Sequence, residues 1–380
     1  MFLQKLYITD FKNYPEAELD FSDKINCFIG LNGAGKTNLL DAIHYLSFCK
    51  SYFNPIDHQN IRHDTSLFTV HGTYLKNGDT TDLVSCIQER NQKKIVRLNK
   101  KTYERLADHI GLFPLVMVSP YDRDLINDGS EVRRRYIDSV ISQFDRIYLD
   151  DLIQYNKALL QRNSLLKTFA ENRNFDERSL EIWDEMLMVR GTSIFEKRNT
   201  FIASFIPTFQ KYFDFISRGK EKVDIGYISQ LHDADFRALL SESREQDRLA
   251  RYTTAGIHKD DMEFSIGGHP IKKFGSQGQQ KSFVVAIKLA QFDYTRDIKG
   301  FKPILLLDDI FDKLDETRVE QIVKLVSENS FGQVFITDTQ QERILRVMES
   351  LRIEHRIFRV DKGTVRPFTE KTNPGNEAEE

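Results

Sequence analysis

The chain has 380 residues, 40% of them hydrophobic and 29% charged, enough apolar material for one large domain or two ordinary ones. Lys and Arg total 54 against 57 Asp and Glu, a net charge of −3, so a basic coat over the whole surface is excluded and any nucleic-acid contact has to be local. Three widely spaced cysteines (Cys27, Cys49 and Cys86) without a CxxC pair exclude a disulfide framework and a thiolate zinc site, and no apolar run reaches the roughly 20 residues that cross a bilayer.

The first element reads as a strand, with Phe2, Leu6 and Ile8 on one face; it lacks the basic start and cleavage site of a signal peptide, and the expected compartment is the cytoplasm. The run Ile25 to Ile29 is apolar enough for a strand buried on both faces. Directly after it, Gly30-Leu31-Asn32-Gly33-Ala34-Gly35-Lys36-Thr37 fits G-x-x-x-x-G-K-[ST]. Leu39, Ile43 and Leu46 then place an amphipathic helix behind that loop. Strand, Gly-rich loop and helix in this order make a phosphate cradle. Glycines let backbone N–H groups converge on phosphate oxygens, and the helix N-terminus adds favourable potential. Lys36 would reach the β- and γ-phosphates of ATP, and Thr37 would put its hydroxyl on Mg2+.

Leu67 to Leu98 alternates as an antiparallel meander, with Asn77-Gly78-Asp79 as a hairpin turn. From about Ser130 to Ser217 glycines thin out and helical periods take over. Leu152, Leu159 and Leu166 recur at heptad spacing, and Ile182, Met186 and Val189 continue an apolar stripe, as in a compact helical arm. Within it, Arg133, Arg134 and Arg135 read equally well as DNA-phosphate contacts or as braces of the arm through carboxylates such as Asp138. The nine histidines show no metal-ligand spacing, and His44 reads as a packing or surface residue.

After about Arg251 the pattern returns to α/β. Ser276 and Gln279 form a capping box, S-x-x-Q, at the start of a strongly apolar helix. Ile304 to Leu307 is a second buried strand and ends in Asp308-Asp309. Two adjacent carboxylates at such a place call for a cation: Asp308 would hold magnesium through water, and Asp309 would orient or deprotonate the attacking water. The alternative for Asp309 is a capping role in the following turn. A helix from Glu316 to Ser327 and a short strand at Val334 to Ile336 complete an alternation that predicts a central, largely parallel sheet. The expected organisation is a head in two parts, residues 1–129 and 251–368, with the arm at 130–250 and a disordered tail at 369–380.

Gly275 to Ser282, some 30 residues before the acidic strand, resembles the signature sequence of the ABC ATPases, and Phe311-Asp312-Lys313-Leu314-Asp315 resembles their D-loop. Asp10-Phe11-Lys12-Asn13-Tyr14 and Asn38 resemble the SMC-like branch. Ser119-Pro120 with Asp122, Gly129-Ser130, Arg133 to Asp138, Thr254 to Asp261, Ser276 to Gln280 and Leu307-Asp308-Asp309 resemble the RecF recombination-mediator family, blocks that span nearly the whole chain. Phe53 stands where that family's pattern has arginine, and Ile257 where it has proline before His258. Thr337-Asp338-Thr339 follows the last strand where transporter ATPases carry a switch histidine, which the RecF family also lacks.

The resemblance implies an α/β ABC-type ATPase head with an antiparallel β subdomain and an inserted α-helical arm. It implies a homodimer that sandwiches two ATP molecules, each between Gly30 to Asn38 of one subunit and Ser276, Gln277, Gly278 and Gln279 of the other. It further implies clamping of gapped, single- or double-stranded DNA, slow hydrolysis that releases it, RecR-like and RecO-like partners, and roles in recombinase loading and SOS induction. The rival readings are an SMC-type chromosome protein, a transporter subunit, an ATP-dependent nuclease, and a DNA-binding module that ATP switches without hydrolysis. The SMC reading needs hundreds of coiled-coil residues, which are absent from the sequence.

Overall fold

The computed structural model describes residues 1–76, 80–172, 175–311, 316–327, 331–351 and 353–368. The hairpin turn expected at Asn77 to Asp79, most of the D-loop-like turn (Asp312 to Asp315) and the tail 369–380 lie outside the described residues. The chain divides into two compact units: the described residues of Met1–Pro120, Lys302–Asp312 and Ile322–Glu380 form the first, those of Tyr121–Phe301 and Lys313–Gln321 the second.

The first unit holds two six-stranded sheets. One is antiparallel, in the order Tyr14–Asp20, Phe2–Phe11, Leu67–Leu75, Thr81–Glu89, Ile95–Leu98, Lys101–Thr102. Its strands bury alternate residues, as in Phe68, Val70 and Tyr74. In the first strand Leu3, Leu6 and Ile8 face the core, and Phe2 does not. A register shift between Leu3 and Lys5 changes the phase of the alternation there, which a strict two-residue period cannot anticipate.

The other sheet runs in the order Thr364–Pro367, His355–Asp361, Ile25–Ile29, Val334–Asp338, Ile304–Leu307, Leu115–Val118, parallel except for the terminal hairpin. Every residue of the four strands from Ile25–Ile29 to Leu115–Val118 in that order is buried, as continuous apolar runs in a parallel sheet require. The helix Lys36–Phe48 touches strands of both sheets. Its burial from Leu39 to Ser47 therefore wraps all round instead of following the expected stripe. His44 is part of that packing, its ring stacked on Phe48 at 4.5 Å.

The second unit is mainly helical: Ser130–Ser142, Arg146–Asn172, the 40-residue Arg178–Ser217 and Gln277–Lys299, with a small antiparallel sheet of Val223–Ile228, Asp261–Ile266 and His269–Pro270. Its long helices do not bury the expected stripes. Ile182 and Val189 are 64% and 52% exposed, and Leu152 and Leu159 are only half-buried. The inward positions are Tyr148, Asp151, Tyr155, Ala158, Arg162 and Leu166 on one helix, and Leu180, Leu187, Gly191, Ile194 and Arg198 on the other.

Two buried arginines organise this interior. Arg162 bonds Asp184 (2.6 Å), Asp247 (2.6 Å) and Thr253 (2.9 Å). Arg198 bonds Asp138 (2.8 Å), Asp260 (2.8 Å), the Tyr148 hydroxyl (3.1 Å) and the Ile257 carbonyl (3.0 Å). Desolvating a guanidinium is tolerable only with this many partners, and removing one partner of such a pair costs about 3–5 kcal/mol. These contacts pin the segment Thr253 to Asp261, which also carries His258. The His258 Nε2 lies 3.0 Å from the Thr253 carbonyl, which can only accept, so Nε2 bears the proton and Nδ1 accepts from the Tyr155 hydroxyl at 2.8 Å.

Burial of the ring, helped by Lys259 and Arg134 and opposed by the Thr253 bond and Asp247, holds its pKa down to about 4 from 6.5. Between those values the unfolded chain takes up a proton that the folded ring refuses, so stability falls as pH falls through that window. The expected loss reaches at most about 3 kcal/mol. Thermal melting of wild type and His258→Gln across pH 6.5 to 4 checks this, because their difference isolates the ring from neighbouring carboxylates. Parallel curves would refute it.

A candidate nucleotide-binding site

The buried strand Ile25–Ile29 delivers the chain to Gly30, and the loop Gly30 to Gly35 leads into the helix at Lys36. A Cβ on Gly30 would lie 2.3 Å from the Val360 carbonyl oxygen, so the loop leaves the sheet where only glycine fits. Gly35 has φ +116°, and a Cβ there would meet the Asn13 amide at 2.4 Å. That close approach gives the Asp10 to Tyr14 motif its purpose. Asn13 Nδ2 donates to the Ala34 carbonyl (3.1 Å), the Tyr14 hydroxyl to the Gly35 carbonyl (3.0 Å) and Asn38 Nδ2 to Asn13 Oδ1 (2.7 Å). The Gly363 N–H donates to the Ala34 carbonyl as well (3.0 Å). The loop is thus strapped from outside by its carbonyls, and the start of the helix behind it offers N–H groups that have no partner within the helix.

Lys36 is buried and donates to the carbonyls of Gly30 (2.9 Å) and Leu31 (3.0 Å), so its ammonium is held inside the ring of the loop. The acidic strand Ile304–Leu307 brings Asp308 opposite the helix start. Thr37 donates its hydroxyl to the Asp308 carboxylate at 3.0 and 3.2 Å. Burial, with the Asp309 charge adding to it, pushes the Asp308 pKa up to about 6, against the hydroxyls of Thr337 and Thr37 and the Lys36 charge. A buried carboxylate under this strain, beside a threonine hydroxyl, fits a hard divalent cation that also binds phosphate oxygens. Among the described residues no group of three or more His, Cys, Asp or Glu side chains has metal-holding geometry, and a phosphate-linked magnesium does not need one. Asp309 is half-buried and sits at φ 43°, the left-handed region that non-glycine residues seldom adopt.

Lys36, Thr37 and Asp308 therefore meet within the first unit, with Asp309 next in the chain and its N–H on the Thr337 hydroxyl at 2.9 Å. The signature-like segment belongs to the second. There both halves of the capping box form: Gln279 N–H to Ser276 Oγ at 3.2 Å, and Ser276 N–H to Gln279 Oε1 at 2.7 Å. Gln279 Nε2 reaches Glu221 (2.8 Å), and Arg318 donates to the Gly278 carbonyl (2.8 Å), so this helix start is braced by its own unit. Arg133 forks onto Asp261 (2.6 and 3.0 Å) and Arg134 reaches the Asp260 carbonyl (2.6 Å). Both brace, though not through Asp138, which pairs with Arg198. Arg135 is exposed and pairs with Glu131 one turn away.

Two further features carry no recognised motif. Asp338 is buried and held by both arms of Arg343 (2.7 and 2.8 Å), whose guanidinium also lies over Phe311. The edge hairpin from Arg90 to Arg105 carries seven Lys or Arg residues against one acid, Glu104, in a chain of net charge −3. A charge count along the sequence would have found it. Lys94 is tied to Asp57 (2.8 Å), whereas Lys93, Arg97, Lys100 and Lys101 are exposed. No helix among the described residues is long and apolar enough to cross a membrane.

Residues 2–364 match the family model of the RecF/RecN/SMC N-terminal domain. A DNA replication and repair protein RecF of Phocaeicola vulgatus is 52% identical over 366 residues, covering 96% of this chain and 98% of that protein. The protein of the same name from Flavobacterium johnsoniae is 52% identical over 358 residues, covering 94% and 99%. A solved structure of the recombination mediator protein RecF with ATP superposes with a TM-score of 0.87 at 29% identity, covering 97% of this chain and 98% of that one. An Smc head bound to the C-terminal winged-helix domain of ScpA shares the fold at a TM-score of 0.57 and 16% identity. Phosphate loop, acidic strand, capping-box helix and helical arm thus stand in an ABC-type ATPase head, and the chain belongs to the RecF family.

Proposed function

We propose that this chain is an ATP-switched DNA-binding protein of recombinational repair whose heads dimerise around ATP. The observation that carries the reading is the meeting of Lys36, held in its loop, with the Thr37–Asp308 pair at 3.0 Å on the neighbouring strand end. The relatives named DNA replication and repair protein RecF and the ATP-bound RecF structure support it.

Gly30 to Asn38 bind and orient the ATP phosphates, with Lys36 supplying the compact counter-charge. Thr37 and Asp308 would hold magnesium, which would supply positive charge against the phosphates. Asp309 orients the attacking water and takes its proton. Ser276 to Gln279 of a second subunit donate to the γ-phosphate from a helix N-terminus, which makes the nucleotide the joint of the dimer. Hydrolysis then opens the dimer and releases DNA. Gapped or single-stranded DNA, RecR-like and RecO-like partners, recombinase loading, SOS induction and a cytoplasmic location complete the proposal.

Ser276→Arg is expected to leave ATP binding by the monomer unchanged and to abolish ATP-induced dimerisation, since a long cation then occupies the joint. Light scattering with and without ATP reads this, and wild-type dimerisation would remove the sandwich.

For DNA, the exposed cations of the Arg90 to Arg105 hairpin are better placed than Arg133 and Arg134, whose donors are engaged internally. Sedimentation with DNA of defined ends should show much tighter binding with ATP than with ADP. Lys100→Gln with Lys101→Gln should flatten the salt dependence by about 0.9 in log–log slope for each phosphate that these lysines neutralise. Equally tight binding by the nucleotide-free monomer would overturn the clamp.

A further inference from the structure

The strand Val334–Asp338 lies between the phosphate-loop strand and the acidic strand, pairing with Ile25–Ile29 on one side and Ile304–Leu307 on the other. Near its end Thr337 is fully buried and its hydroxyl makes two bonds. It accepts the backbone N–H of Asp309 at 2.9 Å and donates its proton to Asp308 Oδ1 at 2.8 Å. From the proposed function just given, and resting on it, we infer that Thr337 is the positioning residue of the acidic pair: one hydroxyl sets both carboxylates against the phosphate loop.

The geometry divides the task in two. Asp309 holds a left-handed backbone at φ 43°, a conformation that aspartate adopts more readily than most side chains but that still needs its peptide group held in place. The Thr337 oxygen captures the peptide N–H of that residue and so fixes the direction in which the Asp309 carboxylate leaves the strand. The Thr337 proton goes to the same Asp308 oxygen that accepts the Thr37 hydroxyl at 3.0 Å. Thr37 lies within reach of the second oxygen as well, at 3.2 Å, so two hydroxyls, one from the helix start and one from the neighbouring strand, restrain the rotation of the carboxylate and set its orientation before any ligand arrives. Valine at this position would keep the volume and the strand. It would take the hydroxyl acceptor from the Asp309 N–H and remove one of the two hydroxyls that restrain the Asp308 carboxylate.

The test uses the full-length chain with three substitutions. Thr337→Val should lower kcat by roughly 10- to 100-fold, the usual cost of losing a partner that orients a metal-binding group. Binding of a fluorescent ATP analogue without magnesium should stay within about twofold of wild type, while the magnesium concentration that half-maximally enhances that binding should rise by a similar 10- to 100-fold. Thr337→Ser, which restores the hydroxyl, should recover both. If Thr337→Val does not fold, Thr337→Cys, with nearly the same volume and only a weak S–H donor, carries the same expectations. Wild-type kcat and magnesium dependence in the folded hydroxyl-free variant, or failure of serine to rescue, would overturn the inference. Measured beside them, Lys36→Ala separates this from the parent reading. If it keeps its ATP affinity, the site itself is misassigned; if it loses ATP while Thr337→Val behaves as wild type, only the positioning role falls.

Discussion

Lys36→Ala should lose ATP binding by at least roughly a hundredfold, because two or three charge-assisted bonds to phosphate disappear from a partly desolvated loop. The ammonium is also the cation held against the Gly30 and Leu31 carbonyls at 2.9 and 3.0 Å, so its removal leaves these two acceptors facing each other. Lys36→Arg should recover part of the binding and little of the turnover, because a planar fork cannot place its charge at one point between two phosphates. Equilibrium titration with a labelled nucleotide measures both. Wild-type affinity in Lys36→Ala would remove the site from this loop.

Asp309→Asn should bind ATP normally and hydrolyse it about 10²- to 10⁴-fold more slowly, the range for removing a general base. The substitution is informative because of the backbone. Asparagine tolerates the left-handed conformation at φ 43°, so the variant keeps the peptide geometry and loses only the charge. With hydrolysis blocked, the ATP-bound dimer should accumulate. Single-turnover kinetics beside light scattering would show it; normal turnover would make Asp309 structural and put the water under another group.

Much of the first unit was legible in the sequence because its signals are local. The runs Ile25 to Ile29 and Ile304 to Leu307 form strands buried throughout, and the loop, Thr37 and Asp308 converge as their spacing on strand–loop–helix elements implied. The capping box at Ser276 formed for the same reason. The helical unit was less legible. Its interior is built on Arg162 and Arg198, whose burial is tolerable only beside Asp138, Asp184, Asp247 and Asp260, residues from other segments of the chain. A periodicity reading assigns arginine to the surface and therefore turned the wrong faces of those helices inward. Thr337 was visible as a residue but not as a link, because its partners stand about 30 positions earlier and meet it only across parallel strands.

The order of strands in the parallel sheet also bears on how the chain matures as it leaves the ribosome. Ile25–Ile29, which launches the phosphate loop, is synthesised early, yet both of its neighbours, Val334–Asp338 and His355–Asp361, come about 300 residues later. Gln333 closes the same gap, bonding Leu3 through both main-chain groups and the Ser22 carbonyl, each at 2.8 Å. Until that distant stretch emerges, the nascent strand has unpaired edges and an apolar face on either side. Such non-local pairing is slow and leaves sticky intermediates. At about 5–20 residues per second the wait lasts tens of seconds. The meeting of the phosphate-loop strand with the acidic strand is thus among the last parts of the fold to form, and a message cut short before its final fifth should yield a product without it.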